Sequence, residues 1–148
     1  MKYGSSVEYT VHLLVYLARL PPGETARVAP LARAIAVPES YLRKVVQLLV
    51  NRGLVASRRG TGGGICLARE AARISLADVV IAADGSLPSW SCLRDQRGCR
   101  VSPDCPVRDS FAEAGRAMAA VLGATSIADV AAKIAGGAAR WLPVGRCA

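Results

Sequence analysis

Hydrophobic residues recur at helical spacing through roughly the first third of the chain, which predicts three helices. The first covers residues 5–20, and the second begins at Pro30 and ends before Pro38. The third covers residues 39–52, where apolar side chains follow the i, i+3, i+4, i+7 spacing of an amphipathic helix. Gly53 follows it and supplies the left-handed residue that commonly ends a helix.

The pattern changes after the third helix. Residues 54–58 and 65–67 are short apolar runs on either side of a glycine-rich turn, which predicts a β-hairpin. A fourth helix is predicted over residues 75–83 and a long helix over about 104–122. The chain has no evident internal repeat, and residues 131–139 are rich in small side chains without a clear pattern.

The long helix carries an apolar stripe whose members alternate at spacings of four and three residues. They are Val107, Phe111, Ala114, Met118 and Val121. This spacing resembles that of a coiled coil and is expected of a helix that pairs with a partner. Packing against the helix's own domain would give the same spacing, so both interpretations stay open at this point.

Length and composition indicate one folded domain. The chain has 148 residues, of which 52% are hydrophobic, so it can bury a core without disulfides or a structural metal. No apolar run approaches the roughly 18 residues of a membrane span. The N-terminus has no secretory signal pattern, and we expect a cytoplasmic location.

Positive charge is concentrated in the first half of the chain. Residues 1–66 hold nine Lys or Arg and three acidic residues, a net +6, whereas residues 67–148 hold ten and eight, a net +2. Three helices followed by a hairpin within a basic segment predict a winged helix-turn-helix, in which the third helix enters the DNA major groove. The predicted fold is therefore mainly α with a small β-hairpin wing and a long C-terminal helix.

The candidate DNA-binding residues are polar or cationic side chains on the third helix and the glycine-rich wing. They are Ser40, Tyr41, Arg43, Lys44, Gln47, Arg58, Arg59, Gly60, Thr61 and Gly62. Such side chains can reach base edges and phosphates, and glycine lets a backbone approach DNA closely. The wing lacks the Lys-Ser/Thr end of a nucleotide-binding loop.

Three of the five cysteines lie in a segment without periodicity, residues 85–106. Cys92, Cys99 and Cys105 occur within 14 residues, beside arginines that favour the thiolate form. An iron-sulfur cluster, a structural zinc site, a redox disulfide and inert thiols all remain open on this spacing. Cys66, in a predicted strand, is interpreted as a small core residue and Cys147 as a free thiol.

The chain resembles the Rrf-two (Rrf2) family of bacterial winged-helix transcription regulators, whose iron-sulfur members include IscR, NsrR and RirA. Four features carry the resemblance, in this order: Ser40-Tyr41-Leu42-Arg43-Lys44-Val45-Val46, Gly53-Leu54-Val55, Arg59-Gly60-Thr61-Gly62-Gly63-Gly64, and the triad Cys92, Cys99 and Cys105. The resemblance covers roughly residues 1–130. It implies a homodimer that is held by the long helix, binds an imperfect DNA palindrome and senses redox, nitric oxide or iron status.

The resemblance also implies candidates for the remaining cluster ligand. One subgroup has a histidine three residues after the third cysteine, but Arg108 stands there. Another takes an acidic ligand from the first helix of the partner, at the position of Glu8, and a third uses a glutamate and a histidine one turn apart, which Glu8 and His12 match. The cluster would then be of the two-iron or four-iron type. A surface Glu/His pair is the alternative.

These observations divide the chain into residues 1–84, a winged helix-turn-helix; residues 85–106, a cluster loop; and residues 104–148, the dimerisation helix and C-terminal segment. A cluster-free regulator that switches by thiol oxidation and a zinc-stabilised interaction module are the rival hypotheses. A redox enzyme is not supported, because the sequence lacks a Cys-His-Asp arrangement, a C-x-x-C element and a cofactor fingerprint.

Overall fold

The computed structural model describes residues 5–60, 63–87, 93 and 105–136. In this part, the chain is mainly α-helical with one two-stranded antiparallel sheet, which confirms the predicted fold class. The elements are α1 (Ser5–Ala18), α2 (Val28–Ala34), α3 (Glu39–Asn51), β1 (Val55–Arg58), β2 (Gly64–Leu67), a 3₁₀ turn (Ala71–Arg73), α4 (Leu76–Asp84), α5 (Pro106–Ala124) and α6 (Ile127–Gly136).

One hydrophobic core joins the N-terminal helices, the hairpin and the C-terminal α6. Leu14 of α1, Leu42 and Leu49 of α3 and Ile127 of α6 are fully buried in it, and Ile65 of β2 packs with them. Complete burial of one such side chain contributes roughly 1.5–3 kcal/mol to folding. The core therefore fixes α3 and the hairpin on the same scaffold.

Most predicted boundaries hold within two residues. Helix α2 is the exception at its end, because it stops at Ala34 and not just before Pro38; it begins at Val28, so Pro30 lies inside its first turn. That position is tolerated, since the first N–H groups of a helix have no intrahelical partner to lose. In the hairpin, Val55 pairs with Leu67 and Arg58 pairs with Gly64.

Helix α6 was not predicted from the sequence. It begins after Ser126 and buries Ile127, Ala131 and Ile134 at helical spacing. Several alanines surround these positions, so the apolar spacing does not stand out in the sequence. The segment assigned with the dimerisation helix thus contributes to the core around α1.

Two helices of the chain start with nearly the same five residues. Residues 75–79 (Ser-Leu-Ala-Asp-Val) and 126–130 (Ser-Ile-Ala-Asp-Val) are nearly identical and start α4 and α6. Their backbones form an isolated antiparallel bridge, in which the Leu76 N–H donates to the Thr125 carbonyl and the Ile127 N–H to the Ile74 carbonyl, both at 2.8 Å. The similarity is confined to these helix starts, about fifty residues apart, and does not extend along the chain.

No helix in the described ranges has both the length and the apolar character needed to cross a bilayer. Most of the predicted cluster loop, including Cys92 and Cys99, lies outside the described residues, as do Thr61, Gly62 and Cys147.

Candidate nucleic-acid interface and ligand site

Helix α3 presents a polar face to solvent because its apolar face is buried. Leu42, Val45, Val46 and Leu49 pack in the core. Opposite them, Ser40, Arg43, Lys44 and Gln47 are exposed. Two of these are held by neighbours on the same helix: Arg43 Nε donates to Glu39 Oε1 at 2.9 Å, and Gln47 Nε2 donates to Asn51 Oδ1 at 3.1 Å. These side chains form a hydrogen-bonding surface of the kind that reads base edges.

Tyr41 does not belong to that exposed surface, contrary to the sequence-based expectation. It is half-buried, and its ring meets the ring of Tyr9 edge-on, with centroids 5.7 Å apart and planes at 77°. Edge-to-face pairs of this kind are favourable beyond their buried area. The contact links α1 to the first turn of α3. No local pattern could have revealed it, since the two residues are 32 positions apart.

The hairpin wing projects cationic side chains from a glycine-dependent turn. Arg58, Arg59 and Gly60 are exposed, and Gly60 has a φ of +98°, which an L side chain rarely adopts. The Gly63 N–H donates to the Gly60 carbonyl at 2.8 Å, and a Cβ on Gly63 would lie 2.6 Å from the Arg58 carbonyl oxygen. The turn therefore favours glycine at both positions, at Gly60 because of its positive φ and at Gly63 because of the close backbone contact.

The base of the wing is fastened to the segment between α1 and α2. Ala26 and Ile65 form an antiparallel bridge with two hydrogen bonds of 2.8 Å. A Cβ on Gly64 would lie 2.6 Å from the Ala26 carbonyl oxygen, so the close approach depends on glycine there. The wing is therefore held at a fixed position relative to α2 and α3.

Glu8 and His12 line an open pocket of about 370 Å³ between α1, α4 and the C-terminal part of α5. Its other walls are apolar: Val7, Val11, Leu76, Val80 and Leu122. Glu8 is exposed and His12 is half-buried. Glu8 and His12 thus border the same pocket as the apolar side chains of Val7 and Val11.

Burial lowers the pKa of His12 below its usual value, and the negative charge of Glu8 opposes part of that shift. A partly desolvated imidazole is disfavoured in its charged form. The neutral form of an imidazole is the one that binds metal ions.

Cys105 occupies the position before the first residue of α5, and its carbonyl accepts from the Asp109 N–H at 3.2 Å. The side chain makes no capping hydrogen bond, and neither Cys105 nor Cys66 forms a disulfide. Cys66 is half-buried in β2, with its Sγ 3.9 Å from the Ala56 carbonyl oxygen. It is not a core residue as expected, because the buried face of β2 belongs to Ile65.

Cys105 and the Glu8/His12 pocket lie toward opposite ends of α5. Leu122, which borders the pocket, is 17 positions beyond Cys105. At 1.5 Å per residue, this is about 25 Å along the helix axis. Within the described residues of one chain, no group of three or more His, Cys, Asp or Glu side chains is assembled.

The apolar stripe of α5 divides into two parts. Phe111 and Met118 are half-buried, whereas Val107 (59% exposed), Ala114 and Val121 (66% exposed) face solvent. The exposed three are seven residues apart, so they form one line along the helix. We call Val107, Ala114 and Val121 the exposed apolar line.

The sequence profile of the Rrf2 family, described as iron-dependent transcriptional regulators, matches residues 3–133. The chain belongs to this family. It is 29% identical to the HTH-type transcriptional regulator NsrR of Bacillus subtilis over 131 residues, which cover 88% of this chain and 90% of that protein. A transcriptional regulator of this family is not an enzyme.

Solved structures support the same fold. CymR, the global cysteine regulator of B. subtilis, superimposes with a TM-score of 0.77 at 24% identity, covering 90% of this chain and 98% of CymR. IscR of T. potens gives a TM-score of 0.71 at 23% identity and covers 98% of this chain and 94% of IscR.

Proposed function

We propose that this protein is an iron-sulfur-cluster-dependent, homodimeric transcriptional regulator that binds an imperfect palindrome in double-stranded DNA. Residues 1–84 read DNA, residues 85–106 carry the cluster thiols, and residues 104–148 supply the dimerisation helix. The description of the family as iron-dependent and the similarity to NsrR over most of the chain support this proposal.

The separation of the candidate ligands along α5 carries the argument for a site shared between subunits. Leu122, which borders the Glu8/His12 pocket, lies about 25 Å along α5 from Cys105, and this separation favours a cluster shared between two subunits. The thiols of Cys92, Cys99 and Cys105 therefore combine with the partner subunit's Glu8, alone or together with the partner subunit's His12. Glu8 with three thiolates suits a four-iron cluster, whereas Glu8 and His12 with two thiolates suit a two-iron cluster.

The side chains of the proposed ligands are chemically suited to an iron-sulfur cluster. Cys105 is a half-exposed thiol outside any disulfide, and Glu8 is an exposed carboxylate with no ion pair among the described residues. When bound, the cluster supplies a link between subunits that depends on redox state, nitric oxide or iron supply. A carboxylate or imidazole binds iron less tightly than a thiolate, so ligation through Glu8 or His12 favours a labile, sensing site.

Residues next to the proposed cluster ligands connect the link between subunits to the elements that read DNA. Cys105 directly precedes α5, so displacement of its backbone acts on the dimerisation helix. Glu8 is followed by Tyr9, whose ring packs on Tyr41 at the start of α3. Two recognition helices must meet half-sites about one DNA turn apart, so a small rotation between subunits is enough to weaken binding.

The cluster is tested on protein purified without oxygen, by iron and sulfide content and by absorbance. We expect Cys92→Ser, Cys99→Ser and Cys105→Ser each to reduce bound iron, while the matched control Cys66→Ser retains it. Iron-free protein whose DNA affinity still changes with thiol oxidation would identify the cluster-free thiol switch instead.

Ligation between subunits is tested by mixing two inactive forms. One carries Glu8→Ala/His12→Ala, and the other carries Cys92→Ser/Cys99→Ser/Cys105→Ser. A mixed dimer is expected to regain one of its two clusters, because one of its two sites is complete. If the Glu8→Ala/His12→Ala protein alone keeps a stable cluster with an unchanged spectrum, the remaining ligand lies elsewhere.

The DNA interface is tested with Arg43→Ala/Lys44→Ala and Arg58→Ala/Arg59→Ala, each compared with Arg19→Ala/Arg116→Ala, which removes the same charge from other elements. Loss of a base-reading side chain is expected to cost roughly 1–3 kcal/mol on cognate DNA. Unchanged affinity in both test variants, still folded and dimeric, would refute the assignment of α3 and the wing.

A further inference from the structure

A second groove, of about 540 Å³, lies between α2, α3 and the hairpin. Three guanidinium groups border it: Arg27 at the start of α2, Arg33 in the last turn of α2, and Arg43 on α3. Ser57 of β1 adds a hydroxyl group, and Pro30 and Gly64 are among the small or apolar residues that complete the lining. None of the described residues that line the groove is acidic.

The fold holds the entrance of this groove in place. Arg27 directly follows Ala26, which is bridged to Ile65 of β2 by two hydrogen bonds of 2.8 Å. Its backbone is extended, with φ −84° and ψ 139°, and it precedes the first residue of α2. Because Gly64 has no Cβ, β2 approaches this segment closely and the wing and Arg27 form one unit.

Arg27 and Arg33 differ in their pairing from Arg43, the third arginine of the groove. Arg43 is bonded to Glu39, and Arg69, Arg73 and Arg108 each have a carboxylate within 4 Å. Arg27 and Arg33 are exposed and have no carboxylate partner in the described ranges. They are thus available to an external anion, and guanidinium groups match the geometry of phosphate oxygens.

The position of the groove identifies the anion. Arg43 belongs both to this groove and to the exposed face of α3, and Ser57 directly precedes the wing arginines Arg58 and Arg59. A DNA strand that touches both the recognition helix and the wing passes over the space between them. We propose that Arg27 and Arg33 bind a phosphodiester of the DNA backbone in this groove, which fixes the depth and register of α3 in the major groove.

This inference rests on the proposed DNA-binding function and adds residues that the sequence pattern did not single out. Contacts to phosphate position a protein on DNA without reading its sequence. Their loss therefore lowers affinity for all sequences together and reduces the salt dependence of binding, by about 0.9 in the slope of log K against log salt concentration for each phosphate contact.

The test titrates a short duplex of random sequence, at several salt concentrations, with the parent protein and Arg27→Gln/Arg33→Gln. We expect the double variant to lose about 0.9 from the salt slope, the value for one phosphate contact. Arg27→Lys/Arg33→Lys is expected to recover most of it. The matched control Arg19→Gln/Arg116→Gln, which removes two exposed charges outside the groove, is expected to keep the parent slope. Circular dichroism and thermal unfolding of all forms check that the substitutions leave the fold intact.

Three outcomes overturn the inference. Equal slopes for Arg27→Gln/Arg33→Gln and its control mean that the groove does not contact DNA. Saturable binding of inorganic phosphate that the double variant loses, with an unchanged DNA slope, identifies a site for a free anion instead. If the parent and the control also fail to bind any duplex, the proposed DNA-binding function fails, and the groove assignment fails with it.

Discussion

Ser75 and Ser126 begin two helices in the same way. The Ser75 hydroxyl accepts from the Asp78 N–H at 3.1 Å, and Asp78 accepts from the Ser75 N–H at 3.0 Å. Ser126 and Asp129 repeat this arrangement at 3.1 Å and 2.9 Å. Each pair satisfies backbone donors that a helix start leaves without partners. Two short stretches of sequence thereby fix the starts of α4 and α6, which the intervening β-bridge holds side by side.

The substitution Ser75→Ala removes the acceptor for the Asp78 N–H and is expected to destabilise the protein by about 1 kcal/mol. Urea unfolding followed by circular dichroism measures this loss. Ser86→Ala is a suitable control, since Ser86 is exposed and makes no hydrogen bond within the described part of the chain. A Ser75→Ala protein as stable as the control would mean that the cap contributes nothing.

The stability of the folded protein is expected to depend on pH through the ionisation of Asp129. Its hydrogen bonds to Ser126, chiefly the side-chain one, lower its pKa below the ordinary value of 3.8. A lowered pKa in the folded state gives a stabilisation that is complete above the unfolded-state value and is lost as pH falls through the folded-state value.

Asp129→Asn removes this ionisation, so the difference in stability between parent and variant should shrink as pH falls below about 4. Thermal unfolding from pH 6 to pH 3 follows that difference. A constant difference across this range would contradict the role of the charged carboxylate.

At the scale of elements, the hairpin and α2 act as one unit because glycine permits a close backbone approach. The Ala26–Ile65 bridge crosses from the α1–α2 segment to β2, directly beside Gly64. The wing therefore owes its position to a tertiary contact as well as to its own ladder of hydrogen bonds. The proposed reading of DNA by α3 and the wing depends on that position.

Gly64→Ala is expected to destabilise the protein by roughly 1–3 kcal/mol, because the new Cβ would lie 2.6 Å from the Ala26 carbonyl oxygen, a backbone atom that cannot move alone. DNA affinity should fall as well. Gly123→Ala in α5 is the matched control: its Cβ meets nothing within 4 Å, so it should be neutral or stabilising by at most about 1 kcal/mol. Urea unfolding measures the stability of both variants. Equal stabilities would refute the requirement for glycine at position 64.

At the scale of the whole molecule, α5 is a long helix that buries none of its residues within one chain. It packs on α4 with its half-buried side and leaves the exposed apolar line in solvent. Because apolar residues at heptad spacing are typical of paired helices, we propose that a second copy of the chain covers this line.

Val121→Glu should then shift the protein from dimer to monomer, because a charge would have to be buried in the interface. Ala120→Glu is a matched control, since Ala120 is exposed about 100° around the helix. Sedimentation equilibrium at micromolar concentration measures both. A monomeric parent protein, or a dimer unaffected by Val121→Glu, would contradict the proposed interface.

Local residue patterns were sufficient to predict the strongly periodic helices, the glycine turn of the wing and the family resemblance. Leu42, Val45 and Leu49 follow the helical repeat, and Gly53 marks the end of α3, so these features follow from local rules. The exposure of Arg43 and Lys44 follows from the same pattern.

Contacts between residues far apart in the chain could not be predicted from local patterns, because they depend on the packing of the whole domain. The Tyr9–Tyr41 contact, the Ala26–Ile65 bridge and the pocket that joins Glu8 to Leu122 depend on how the core packs. Helix α6 becomes recognisable only where Ile127 and Ile134 enter that core. Periodicity reports which face of an element is buried, but the partner of that face is set by packing in three dimensions.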